Sequence, residues 1–91
     1  MHHDLKIFTK YFQAVVDGLK RSEVRLNDRN FQIGDTVTFK EGQPGLDGFE
    51  YTKRTVSAII SYIDDYGCDH GHVSLSLRNV GLLIVDKKDM K

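Results

Sequence analysis

Cysteine and proline occur only once each in this 91-residue chain, and neither sign of charge is in excess. A lone thiol, Cys68, cannot close an internal disulfide. That argues for a reducing compartment, the cytoplasm, and against the stapled frameworks of small secreted proteins. No apolar run approaches the roughly 18 residues that a bilayer-spanning helix needs, and the amino-terminal stretch lacks the apolar segment of a signal peptide. No membrane partner is therefore expected. Thirteen basic residues balance thirteen acidic ones, which excludes a globally cationic nucleic-acid binder and leaves a locally basic face open. A hydrophobic fraction of 40% and a charged fraction of 29% are ordinary for globular chains, so disorder and fibrous repeats are excluded too. At this length one domain, residues 1–91, has room for a single core.

What is present is mostly strand signal. Asp4 to Phe8 alternates charged and apolar side chains, the period-two pattern of a half-buried strand. Thr9 is placed to cap a helix over residues 10 to 17, whose apolar stripe comprises Phe12, Val15, Val16 and Leu19, and Gly18 suits the left-handed position that ends it. Thr36 to Lys40 reads as a strand with Val37 and Phe39 inward. Glu41 to Glu50, with Gly42, Pro44, Gly45 and Gly48, reads as an irregular surface loop. Tyr51 to Ile63 is a long strand, apolar on both faces around Ile59 and Ile60, so its middle belongs deep in the core. His72 to Leu77 alternates again, and Gly81 to Val85 is a last apolar strand. Five to six short strands and one amino-terminal helix define an α+β domain, and strands so short must curl around a shared core. A small, mixed, partly open β-barrel is the expected architecture.

Charge concentrates in one place. Gly18-Leu19-Lys20-Arg21-Ser22-Glu23-Val24-Arg25 runs into Leu26-Asn27-Asp28-Arg29, with a period of two from Lys20 onward. Ser22, Val24 and Leu26 then share one face of a strand, and Arg21, Glu23 and Arg25 share the other. Strict parity sets Lys20 opposite Glu23 and Arg25 unless the chain leaving Gly18 turns it. Arg25 and Arg29 are planar, permanently charged forks suited to phosphate, and Lys20 adds a point charge. The competing reading is a solvated ladder of alternating charges, which contributes little.

At Gly18-x-Lys20-x-x-Glu23-x-Arg25 the sequence resembles the signature of the ASCH domain family. His3-Asp4-Leu5-Lys6-Ile7, Tyr11-Phe12, Asn27-Asp28-Arg29, Phe31-Gln32-x-Gly34-Asp35 and Tyr51-Thr52-x-Arg54 are similar to a small, uncharacterised bacterial and phage branch of that family. The resemblance spans roughly residues 3 to 77. His3 has a place in it, which argues against reading His2 and His3 as the remnant of a tag. It implies a PUA-like fold and an RNA- or nucleotide-binding cleft using Lys20, Glu23, Arg25, Arg29, Tyr51, Thr52 and Arg54. Lys53 stands where the family pattern has glycine, a departure that narrows the cleft or adds charge to it.

The resemblance also brings an enzymatic alternative, because some ASCH-like proteins deacylate acetylated cytidine or cut RNA. Those deacylases carry threonine where this chain has Glu23, so a hydroxyl nucleophile does not carry over. Catalysis would then rest on Lys20 and Glu23, with the carboxylate activating water. The binding-module reading needs no cofactor and is favoured over the enzyme. A third reading, an accessory module for an unidentified protein partner, is compatible with the neutral charge. Phe49, Tyr51, Tyr62 and Tyr66 are candidate stacking platforms for a base, with Phe49 and Tyr51 placed nearest the ligand. Cys68-Asp69-His70-Gly71-His72 contains zinc-ligand types, but a closed structural site takes four ligands and no second cysteine exists, so no metal is expected.

Overall fold

The computed structural model describes residues 1–81 and 85–86. The chain forms β1 (His2–Phe8), α1 (Thr9–Val16), β2 (Ser22–Leu26), β3 (Thr36–Gly45), β4 (Gly48–Asp64), β5 (His72–Arg78) and β6 (Val85–Asp86). One mixed sheet runs in the order β1-β3-β4-β5-β2, with β6 pairing a second stretch of β4. The β1–β3 ladder is parallel and the others are antiparallel. The α+β class, the strand number and the single amino-terminal helix agree with expectation. No backbone ladder joins β1 to β2 among the described residues, so the sheet is open at those two edges. Of the strand expected at Gly81 to Val85, residues 82–84 lie outside the described residues, as does the tail from 87.

Alternation decides what each strand buries. On β1, His3, Leu5 and Ile7 are buried while Asp4, Lys6 and Phe8 face out. Val37 and Phe39 of β3, Val56, Ala58 and Ile60 of β4, and Leu75 and Leu77 of β5 complete the sheet's inner face. Phe12 and Val15 of α1 cover it. Full burial of each such aliphatic or aromatic side chain contributes about 1.5–3 kcal/mol before entropy is counted.

The helix departs from expectation at both ends. Phe8, not Thr9, occupies the cap position, with no side-chain capping bond, and Thr9 is already helical. At the other end Gly18 takes φ +75°, Gly18 N–H bonds the Val15 carbonyl and Leu19 N–H bonds the Ala14 carbonyl. That pair of bonds is a Schellman closure, which only a left-handed residue allows and which glycine supplies without strain. The turn throws Leu19 out of the apolar stripe, leaving it 82% exposed.

Residues 41 to 50 are not a loop. They form the distal half of a β3–β4 hairpin, with Gln43 opposite Glu50, Pro44 opposite Phe49, and Leu46-Asp47 as the two-residue turn. Glycine is required at position 42 for close approach, where a Cβ would run into the Glu50 carbonyl oxygen and the Phe49 ring; at Gly45 a Cβ would meet only the flexible Glu50 side chain, which can turn aside. A glycine-rich stretch that looks like turn chemistry is therefore a strand whose partner crosses too closely at Gly42 for a side chain. His2 and His3 also belong to the fold. His3 Nε2 lies 2.8 Å from Asp35 Oδ2 and its ring meets Phe31 edge-on. The His3 bond, with the Met1 amino group and the Gln32 N–H, overrides burial and lowers the Asp35 carboxyl to about 2.

One backbone feature gives a direct stability test. Between Tyr51, opposite Gly42, and Thr55, opposite Lys40, β4 carries three residues against Glu41 alone. Within this bulge Lys53 sits at φ +75°, a left-handed conformation that costs a non-glycine residue about 1–2 kcal/mol. Glycine removes that strain and adds back roughly 0.5–1 kcal/mol of chain entropy. Lys53→Gly is thus expected to stabilise the protein by about 0.5–1 kcal/mol, a rise of a few degrees in Tm on thermal denaturation. A fall in Tm would show that the lysine side chain contributes more than its backbone costs.

Candidate nucleic-acid interface

Gly18 and the strand start at Ser22 bring Lys20 back towards Glu23. Lys20 precedes β2, so strand parity does not bind it, and its ammonium lies 2.6 Å from Glu23 Oε1 and also bonds the Ser22 carbonyl. Arg25 Nε lies 2.9 Å from the other oxygen, Glu23 Oε2. The carboxylate is therefore held between two cations, on the same strand face. Register pairs Glu23 with Leu75 and Arg25 with Val73, so this charged face of β2 is the inner one. Val24, at 55% exposure, and Leu26 have the opposite parity, yet both border the cleft described below.

Arg25 does more than pair with Glu23. Its Nη2 donates to the Lys6 carbonyl, and Arg29 Nη1 donates to the Asp4 carbonyl at 3.0 Å. Both acceptors lie on β1, the open edge of the sheet. Two guanidinium groups thus bridge from β2 and the turn after it to carbonyls that no strand pairs, where a closed barrel would have a ladder.

Between these edges lies a cleft of about 420 Å³, walled by Lys6, Phe8, Tyr11, Glu23, Arg25 and Phe49. Its aromatics touch one another: Phe8 and Phe49 rings are 6.1 Å apart, Phe8 and Tyr11 6.5 Å. Cations sit on the same rings, Lys6 Nζ 5.3 Å from the Phe49 centroid and Lys20 Nζ 5.9 Å from that of Tyr11. A cleft of this make-up offers flat stacking faces and positive charge together.

The residues singled out in the sequence separate into three places. Glu23 and Arg25 line the cleft, and Lys20 stands beside it, bonded to Glu23 and placed over the Tyr11 ring. Arg25, Arg29 and Tyr51 line a neighbouring depression. Thr52 and Arg54 lie elsewhere, because successive residues of a strand alternate faces and Tyr51 points away from Thr52. They enclose Glu41, which is 1% exposed. Arg54 grips it with Nε 2.7 Å from Oε1 and Nη2 2.8 Å from Oε2, and the Thr52 hydroxyl donates at 2.6 Å. The Arg54 guanidinium stacks 4.8 Å from the Phe12 centroid. This fork holds the Glu41 carboxyl below its ordinary value against the opposing effect of burial and lifts Arg54 above its own. The buried Thr9 hydroxyl also favours the ionised carboxylate, though it makes no well-formed hydrogen bond.

Sequence reasoning missed Glu41, Lys6, Phe8 and Lys40. Glu41 had a readable signal, since it continues the inward parity of Val37 and Phe39; the glycines after it concealed the strand. Of the aromatics proposed for stacking, Phe49 and Tyr51 meet at 5.0 Å beside the cleft, whereas Tyr62 lies on β4 and Tyr66 in the β4–β5 loop. Among the described residues no three His, Cys, Asp or Glu side chains are grouped to hold a metal ion. No helix there is long and apolar enough to cross a membrane.

Sheet order, helix placement and cleft define a small α+β domain that sets a cation-bordered aromatic site at the gap in an open mixed sheet. The chain belongs to the family described as Domain of unknown function (DUF3850), whose model matches residues 2–77. A protein of Escherichia phage P2, described as "Uncharacterized 12.9 kDa protein in GpA 3'region", is 40% identical over 63 residues. That stretch is 69% of this chain and 54% of the phage protein, so the chain spans about half the length of this relative.

Proposed function

We propose that the cleft between β1 and β2 binds RNA or a nucleotide, and that the sheet is a partly open, PUA-like barrel whose missing ladder makes the cleft. The carrying observation is the combination of Phe8, Tyr11 and Phe49 on the walls with Lys6, Lys20 and Arg25 at the rim. Bases stack on aromatic faces and phosphates seek guanidinium and ammonium groups, so one cleft serves both halves of a nucleotide. The ASCH resemblance of residues 18–25 supports the same reading. In it Glu23 orients Lys20 and Arg25 and keeps an acceptor available for a base edge or ribose hydroxyl.

Fluorescence polarisation with a labelled single-stranded oligoribonucleotide, at two salt concentrations, tests this. Binding is expected to weaken steeply with salt, and Lys20→Ala to weaken it about five- to tenfold while reducing the salt slope by about 0.7. A folded wild-type protein that binds neither oligoribonucleotides nor nucleotides would exclude the proposal.

One observation favours catalysis as a second reading: Glu23 is fixed from both sides on the cleft wall, as a base that positions water must be. Neither a threonine nor another hydroxyl takes the nucleophile's place, since Ser22 has the opposite parity on β2. Turnover of acetylated nucleosides or labelled RNA by the wild type, lost in Glu23→Gln, would establish it.

A further inference from the structure

Beside the cleft, on the outer face of β1 and β3, lies a second depression of about 320 Å³ lined by Asp4, Lys6, Arg25, Arg29, Lys40 and Tyr51. We infer that it is a phosphate-binding subsite for the nucleotide adjoining the one in the cleft. The natural ligand is then a strand of at least two nucleotides and not a mononucleotide. The inference rests on the nucleotide-binding reading above and names its substrate class.

Three observations carry it. First, the two depressions adjoin: Lys6 and Arg25 line both, so cations between them face an anion in either. Second, each contains one member of an aromatic pair, Phe49 in the cleft and Tyr51 in the depression, whose rings meet edge-to-face at 5.0 Å with their planes 68° apart. Two faces at that angle suit two successive bases splayed from one another and exceed what one base requires.

Third, the charge is one-sided. Four cations line the depression against one lining carboxylate, Asp4, which is engaged with Lys40 Nζ at 3.6 Å and His2 Nε2 at 3.0 Å; from outside the lining, Glu23 pairs with Arg25 and Asp28 lies 3.9 Å from Arg29. Parallel register places Lys6 directly beside Lys40, a like-charge pair that costs stability unless an anion bridges it. The arginines are fixed in advance, Arg29 on the Asp4 carbonyl and Arg25 on the Lys6 carbonyl. Each guanidinium has five N–H donors, so both retain some for a ligand after these anchors are made. Lys6 and Lys40 lie outside the charged stretch of residues 18–29, and only the β1–β3 pairing brings them to it.

The test compares three probes, uridine, uridine monophosphate and a short oligouridylate, on the wild type, Lys40→Ala and Asp4→Asn. Lys40 is half-exposed and does not line the cleft, so its truncation leaves the nucleoside site intact. The wild type is expected to bind the oligouridylate at least tenfold more tightly than the monophosphate. Lys40→Ala should weaken the oligouridylate three- to tenfold, lower its salt slope by about 0.7, and leave uridine and its monophosphate unchanged. Asp4→Asn removes the one carboxylate in the lining and should tighten the oligouridylate two- to threefold. Equal affinity for monophosphate and oligouridylate, with both variants silent, would overturn the subsite and leave the cleft standing. Lys40→Ala weakening all three probes alike would overturn it as well, and so would competition by polyglutamate as strong as by oligouridylate. No binding of any probe would remove the cleft and the subsite together.

Discussion

Replacing Arg54 with methionine is expected to destabilise the protein by about 3 kcal/mol and to reverse the pH dependence of that part of its stability. The magnitude follows from what stays behind. Glu41 is 1% exposed, and methionine keeps an apolar side chain of similar length while removing the guanidinium that lies over Phe12 and supplies both donors of the fork. A buried carboxylate without its counter-charge costs about 3–5 kcal/mol. The lower end applies because the Arg54 side chain is 51% exposed and water can follow where it was. For a domain of this size the loss corresponds to a Tm lower by about 12–24 °C.

The sign with pH separates this mechanism from a simple packing defect. In the wild type the Arg54 fork lowers the Glu41 carboxyl below its ordinary 4.5. Its contribution is therefore fully present above that value and lost as the pH falls through the lowered one. With Arg54 gone, burial is the largest single remaining influence and raises the carboxyl against the Thr52 and Thr9 hydroxyls, and the variant is expected to gain stability as the pH falls from neutrality into the acid range. Denaturant unfolding at several pH values reads both slopes. The double variant Arg54→Met, Glu41→Gln should recover more than half of the loss, since no charge is then buried. Equal destabilisation at every pH, with no recovery in the double variant, would show that the fork is not what the site depends on.

Periodicity made the inner faces of β1, β3 and β5 legible, because one buried side of a strand imposes a period of two that composition cannot hide. The Gly18 helix end was legible for a similar reason: few residues accept a left-handed backbone. Two things were not. The hairpin at residues 41 to 50 carries a turn-like glycine for a packing reason, the close crossing of Glu50 and Phe49 over Gly42, and local sequence does not show which strand crosses which. The site had the same defect in another form. Lys20, Glu23 and Arg25 are neighbours in sequence and could be grouped from it, whereas Lys6, Lys40 and Phe8 join them only through the parallel β1–β3 pairing and the gap at β2. Thr52 and Arg54 adjoin Tyr51 in sequence and part from it because strands alternate. Their partner, Glu41, is seen only when β3 is known to continue through it.

Arg25→Lys is expected to weaken oligoribonucleotide binding about 10- to 100-fold while preserving the fold. One planar group makes two bonds in different directions, Nε to Glu23 and Nη2 to the Lys6 carbonyl, and so fixes the width of the cleft as well as its charge. A lysine ammonium is a point donor on a flexible stem and cannot hold both partners at those positions. The edge-to-edge link then rests on Arg29 and Asp4 alone, and loss of one charge-assisted bond at a partly exposed site lowers stability by about 1 kcal/mol, a Tm fall of roughly 4–8 °C. Charge is unchanged by the substitution, so the salt slope of binding should stay at the wild-type value even as affinity drops. That pairing of outcomes separates geometry from electrostatics, because a rim cation that merely attracts phosphate would tolerate lysine in both affinity and slope. Unaltered affinity in Arg25→Lys would assign Arg25 that lesser role, a point charge at the rim with no part in fixing the width of the cleft.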